Sequence, residues 1–115
     1  MSFIKGFDKK VTVVAHDAGA ANHILAWIRA GDIICDADRL CFSGPAVESA
    51  KQLNISQIPI SIGEVAGRLV DTDFLIAGTG WSTDWEHEAI RIANERHVFW
   101  KVVYQMHQLL PKLSL

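Results

Sequence analysis

Residues 11–15, VTVVA, form a run of β-branched and small apolar residues that passes without a spacer into HDAGAAN at 16–22. An unbroken apolar run suits a strand covered on both faces of a parallel sheet, whereas a half-exposed strand alternates polar with apolar. The small residues that follow leave room for a tight turn into a helix, whose first backbone N–H groups then point outward past the strand end. A second junction of the same form, LIAGTGW at 75–81 followed by STDWE at 82–86, comes later in the chain. Two such strand-to-helix turns restrict the chain to an α/β fold in which both lie at the carboxyl edge of one sheet and frame a pocket.

The unit repeats along the chain. After the first strand, Ala21, Ile24, Leu25 and Ile28 fall at helical spacing, and Gly31 stands where a helix terminates. Residues 39–43 form a second strand, and a helix over 46–53 carries Pro45 in its first turn. Residues 58–60 form a short third strand, and a weaker helix over 64–70 has Gly67 in its interior. Residues 73–77 form a fourth strand. The helix over 83–96 is the most regular, with a capping box from Thr83 to Glu86 and Trp85, Ala89, Ile92 and Ala93 along one face. Residues 98–104 make the fifth strand. Right-handed crossovers then give a doubly wound, Rossmann-like domain over residues 1–104: a five-stranded parallel sheet of order 3-2-1-4-5 with helices on both faces. Residues 105–115 form a C-terminal tail.

A chain of 115 residues, half of them apolar, supports one domain with its own core. A formal net charge of −2 with interspersed signs gives no footprint for nucleic acid. No apolar stretch is long enough to span a bilayer, and the first ten residues lack the apolar run of a signal peptide, so a cytoplasmic location is expected. Cys35 and Cys41 match no zinc or redox spacing, and Cys41, between Leu40 and Phe42, reads as a small buried hydrophobe.

In the order 3-2-1-4-5 the chain reverses direction between strands 1 and 4, so the loops that follow them carry the functional expectation. In the first loop Gly19 and its small neighbours let a ligand approach the backbone, and Asn22 offers donors and acceptors. His16 is placed as a general base and Asp17 as its carboxylate, although neighbours on a strand end point to opposite sides and Asp17 also suits a helix cap. In the second loop Gly78 and Gly80 permit unusual backbone angles, Thr79 and Ser82 offer hydroxyls, and Trp81 has a ring able to stack on a sugar. Glu86 is a ligand contact or the partner in the cap. Gly44, in the turn after strand 2, lines one side of the same edge.

Several chemistries are excluded. There is no G-x-G-x-x-G and no G-K-[ST], so neither a dinucleotide site nor a P-loop is expected, and no cofactor is assigned. His87-Glu88 lacks the second histidine of a zinc helix, and His23, His97 and His107 show no ligand spacing, so no metal is expected. A phosphoacceptor receiver needs an aspartate ending strand 3, where this chain has Ile60-Ser61.

The runs VVAHDAGAAN, SGPA and GTGWSTDWEHEAIRIA together resemble the N-terminal part of bacterial polysaccharide-biosynthesis proteins related to GT-B glycosyltransferases and sugar-nucleotide 2-epimerases. The resemblance spans about residues 10–98. Ala20 stands where the second glycine of the first motif is usual. The resemblance implies a Rossmann-like half of a two-domain transferase, in which the N-terminal half holds the acceptor and the C-terminal half most of the nucleotide sugar. The tail from Gln105 does not continue as that family does, which implies a truncated member or an isolated domain without turnover of its own.

Three functions follow. The first is a glycosyltransferase-like domain that binds a sugar or nucleotide sugar at Asp17, Gly19, Asn22, Thr79, Trp81 and Ser82. The second is a non-catalytic module that forms a homo-oligomer through the apolar last strand, Phe99 to Tyr104, or pairs with a missing half-domain. The third, a stand-alone enzyme with His16 as base, needs a nucleophile that the sequence does not identify.

Overall fold

The computed structural model describes residues 3–4, 7–55, 58–59, 62–78, 85–103 and 106. In chain order the elements are β1 (Phe3–Ile4), β2 (Phe7–Ala15), α1 (Ala18–Arg29), β3 (Ile33–Ile34), a 3-10 turn (Ala37–Arg39), β4 (Leu40–Phe42), α2 (Pro45–Gln52), β5 (Ile58–Pro59), α3 (Ile62–Arg68), β6 (Phe74–Ala77), α4 (Trp85–Glu95) and β7 (Phe99–Val102). No helix among the described residues is long and apolar enough to cross a membrane.

The apolar run at 11–15 is the central strand. Its residues pair in parallel with β4 on one side, Val14 opposite Cys41, and with β6 on the other, Val14 opposite Ala77. β7 pairs in parallel outside β6, which completes a four-stranded parallel core. The third expected strand is reduced to a two-residue bridge, with Ile58 beside Cys41 and Pro59 beside Phe42. Proline lacks the N–H a longer ladder would need.

One feature was absent from the sequence expectations. β2 begins at Phe7 rather than at Val11, and its first half pairs antiparallel with β1, which pairs in turn with β3. Lys9 and Lys10 are exposed there, so this half lacks the apolar signature of the second half. Element ends also move: Arg39 lies in the 3-10 turn, Asp73 precedes β6, and β7 starts at Phe99.

Side-chain alternation along the strands divides the core in two. Val11, Val13, Ala15, Leu40, Phe42, Phe74 and Ile76 face the helices α1 and α2, packing with Ile24, Leu25, Trp27, Ala46 and Ala50. Val14, Cys41, Leu75 and Ala77 face the other way, packing with Val65 and Leu69 by α3 and Ala89 and Ala93 of α4. Helices therefore cover both faces, which is why β2 carries no polar alternation in its second half. Each large side chain fully withdrawn from water, such as Leu25 or Phe42 at 0% exposure, contributes roughly 2 kcal/mol.

Candidate functional site at the carboxyl end of the sheet

Because β2, β4 and β6 are parallel and in register, the segments that leave them emerge at one end. The backbone fixes them there: Ser43 N–H donates to Ala15 O at 3.0 Å, and Gly78 N–H donates to Val14 O at 3.1 Å. The turn at 16–22 and Gly78 therefore lie at the same rim, and the rest of the second glycine-bearing turn lies outside the described residues.

Asp17 is the N-cap of α1. Its backbone is extended (φ −75°, ψ 135°), and Oδ2 accepts from Ala20 N–H at 3.0 Å. The carboxylate thus serves the helix start, as its alternative reading held. Gly19 is exposed, and a Cβ there would approach that same oxygen to 3.0 Å. Asn22 is exposed on the following turn of α1.

His16 reaches the neighbouring loop. Its Nδ1 lies 2.9 Å from Ser43 Oγ, and both residues are half-buried. The His16 carbonyl accepts from Ala46 N–H at 3.1 Å, so backbone and ring both tie this residue to the start of α2. Gly44 makes the approach possible. It has φ +52° and ψ −137°, and a Cβ there would stand 2.3 Å from Cε1 of the imidazole. Glycine is needed twice over, for the backbone angle and for the ring.

Gly78 and Glu86 meet on the β6 side. Gly78 is buried, and a Cβ on it would stand 1.9 Å from Glu86 Oε2 and 2.9 Å from Ala20 Cβ. Glu86, in the first turn of α4, is only 1% exposed. Its carboxylate fills the space between the turn after β6 and the start of α1, where a ligand contact was expected. Among the described residues of the rim, His16 and Ser43 are half-buried and Gly44 is exposed. Thr79, Gly80, Trp81, Ser82, the expected cap Thr83, Tyr104 and the tail apart from Met106 lie outside the described residues.

Charge is sorted between the two ends of the sheet. Asp17 caps α1, and Glu48, Glu64, Glu86 and Glu88 occupy the first turns of α2, α3 and α4. Arg29, Lys51 and Arg68 occupy the last turns of α1, α2 and α3. This arrangement complements the helix dipoles. It also leaves the first turns of these helices without lysine or arginine among the described residues.

Sequence reasoning missed Ser43 as a partner for His16. The SGP turn at 43–45 was legible as a turn at the right edge, but nothing in the spacing joins positions 27 residues apart. Two shallow hollows of about 370 and 380 Å³ flank Phe99 at the opposite end, lined by Asn94, His97 and Trp100 on one side and by Lys9, Asp73 and Phe74 on the other. No group of three or more histidines, cysteines or carboxylates suited to a metal ion occurs among the described residues. Comparison with family models, curated proteins and solved structures finds no match to this chain.

Proposed function

We propose that this chain is a glycosyltransferase-like domain that binds a sugar or nucleotide sugar at the carboxyl rim and does not transfer the sugar by itself. The observation that carries this reading is the His16–Ser43 hydrogen bond. It brings an imidazole and a hydroxyl from two different loops to one accessible spot beside the start of α1, and a few convergent polar groups at a switch point are what orient a polyhydroxyl ligand. Asn22 supplies a further amide, and in this reading ligand contacts fall also to Thr79, Trp81 and Ser82, which lie outside the described residues. A full doubly wound sheet of order 3-2-1-4-5, with Ile58–Pro59 as its third strand, is the scaffold in this reading, supported by the pairs Cys41–Ile58 and Phe42–Pro59. A cytoplasmic location, where nucleotide sugars are made, goes with it.

The test is an amide-resolved NMR titration with free sugars and nucleotide sugars. Perturbation centred on His16, Asn22, Ser43 and Gly44 is expected. A panel that leaves those amides unmoved at millimolar ligand rejects the reading, and transfer of labelled sugar by the isolated chain rejects its second half.

A second reading, self-association, is favoured by Phe99. This residue is 53% exposed on β7, which pairs with β6 alone among the described residues, and an edge strand with an exposed aromatic invites a partner. Sedimentation of a clean monomer at micromolar concentration argues against it.

A further inference from the structure

We propose that Ser43 is a nucleophile with His16 as its base, and that the carboxyl rim hydrolyses acyl esters. The inference shares its location with the sugar-binding reading but does not depend on the ligand being a sugar.

Geometry carries the first step. A serine hydroxyl attacks only when a base takes its proton, and the heavy-atom separation must lie within hydrogen-bond reach. Ser43 Oγ and His16 Nδ1, at 2.9 Å, satisfy this without any rearrangement. In the tautomer that carries its proton on Nε2, Nδ1 accepts from the hydroxyl. The pair is held from both sides, because the Ser43 N–H is fixed to Ala15 O and the His16 carbonyl to Ala46 N–H. The flat contact of the imidazole with Gly44 limits where the ring can go.

The turn itself has the form that places a nucleophile. Ser43 follows the end of β4 directly, Gly44 adopts an angle open to glycine, and α2 begins at Pro45. The hydroxyl is thereby presented at the end of the sheet, and in this proposal the N–H of the exposed residue after it, Gly44, is assigned as the donor to the oxyanion.

Charge selects acyl over phosphoryl chemistry. A phosphoryl transition state needs cations around its oxygens. The described charged groups at the starts of the neighbouring helices are Asp17 and Glu48, both acidic. An acyl carbon asks only for a base and an N–H donor.

The steps balance. Ser43 Oγ bonds to the carbonyl carbon, its proton passes to His16 Nδ1, and the carbonyl π pair moves to oxygen. Collapse of that adduct breaks the ester C–O bond, and the departing alcohol oxygen takes the proton from His16. Water then attacks the acyl-serine carbon and gives a proton to His16. The carboxylic acid leaves as Ser43 Oγ recovers that proton. The sum is ester plus water to acid plus alcohol.

The test treats the whole chain with a fluorophosphonate, whose phosphorus accepts Ser43 Oγ and releases fluoride, followed by intact mass and peptide mapping. One adduct per chain at Ser43 is expected, with none in Ser43→Ala and a rate lower by about 100-fold or more in His16→Gln. Should either variant fail to fold, Ser43→Cys keeps the size of the side chain. Its new thiol, beside His16, is expected to be alkylated by iodoacetamide about 10-fold faster than Cys35. Labelling of the wild type no faster than Ser43→Ala, an adduct at another residue, or alkylation of Ser43→Cys no faster than at Cys35 overturns the proposal. Sugar binding without an adduct rejects the nucleophile alone, and an adduct without sugar binding rejects the sugar reading alone.

Discussion

At the amino end of the sheet, Arg39 Nη1 lies 2.5 Å from Arg68 O, 2.7 Å from Val70 O and 3.0 Å from Thr72 Oγ1, and Thr12, fully buried, shares its hydroxyl with Thr72 at 2.7 Å. At the carboxyl end a side-chain contact between loops is the short reach from His16 to Ser43, made over a glycine and left half-buried. The first arrangement closes the carbonyl end of α3 with a cation and consumes its polar groups in doing so. The second holds an imidazole and a hydroxyl in place with both residues half-buried. Among the described residues, one end of the sheet gathers its polar groups around a guanidinium, and the other joins two loops through a side-chain hydrogen bond.

The sharpest way to break this contrast is Gly44→Ala. The new methyl faces the imidazole at 2.3 Å on a backbone with φ +52°, so either the ring leaves Ser43 or the turn unwinds. Adding strain and overpacking gives an expected loss of about 3 kcal/mol in urea unfolding. Reaction of Ser43 with a fluorophosphonate should fall with it. A stable, fully reactive Gly44→Ala protein would show that the close approach has no consequence.

Arg39→Ala probes the opposite end. Removing the guanidinium leaves the Val70 carbonyl to water and the Arg68 carbonyl with only the Thr12 and Thr72 hydroxyls as donors, at an expected cost of about 2 kcal/mol. The carboxyl rim should keep its reactivity toward a fluorophosphonate, because no carboxyl-rim side chain bonds to Arg39 among the contacts described. Loss of both stability and reactivity would mean that the two ends are coupled through the sheet.

Between the ends sits Cys41, fully buried in β4 on the α3 and α4 face. Burial pushes its thiol up from 9.0 to about 11, against the opposing pull of Arg68 and Arg39. The sign follows from linkage. Below pH 9 the thiol is protonated folded or unfolded and costs nothing; above it, the unfolded chain ionises first. Stability should therefore fall between pH 9 and about 11, by of order 2 kcal/mol in all. Comparing unfolding of the wild type with Cys41→Ala across that range checks it, since the variant should lack this component of the slope. Thiol reagents should reach the half-buried Cys35 well before Cys41.

How much of this was visible in the sequence differs along the chain for physical reasons. β2 from Val11, α1 and its stop at Gly31 were legible because burial on both faces and helical spacing write themselves into residue type. The antiparallel start at Phe7 was not, since its exposed lysines carry no period. The carboxyl rim was legible as a place, through its glycines and its strand-to-helix junctions. The pairing of His16 with Ser43 was not, because it is decided by the register of β2 on β4, with Ala15 opposite Phe42, and register between distant strands leaves no local mark. Glu86 was read from its spacing as a cap partner or ligand contact, whereas its burial against Gly78 depends on how closely the first turn of α4 packs on the end of β6.

The smallest effect concerns the amino end, where helices turn back toward the strands. Gly31, Asn54, Asp71 and His97 have φ of +81°, +54°, +59° and +58°, each just past the end of a helix. At the end of α4 the cap closes with Val98 N–H donating to Ala93 O at 2.9 Å, which forces His97 into the left-handed region. A β-carbon in that conformation costs roughly 1–2 kcal/mol relative to glycine, and glycine returns about 0.4–1 kcal/mol of that through the greater freedom of the unfolded chain. The conformational cost wins, because the exposed His97 side chain is not part of either buried core cluster. His97→Gly should then raise stability by about 0.5–1 kcal/mol, seen as a rise of a few degrees in melting temperature. Reactivity at Ser43 should stay as it was, since the gain arises in a turn that ends a helix far from the rim where the imidazole sits. A fall in melting temperature would instead show that the His97 side chain contributes to stability where it lines a hollow with Asn94 and Trp100.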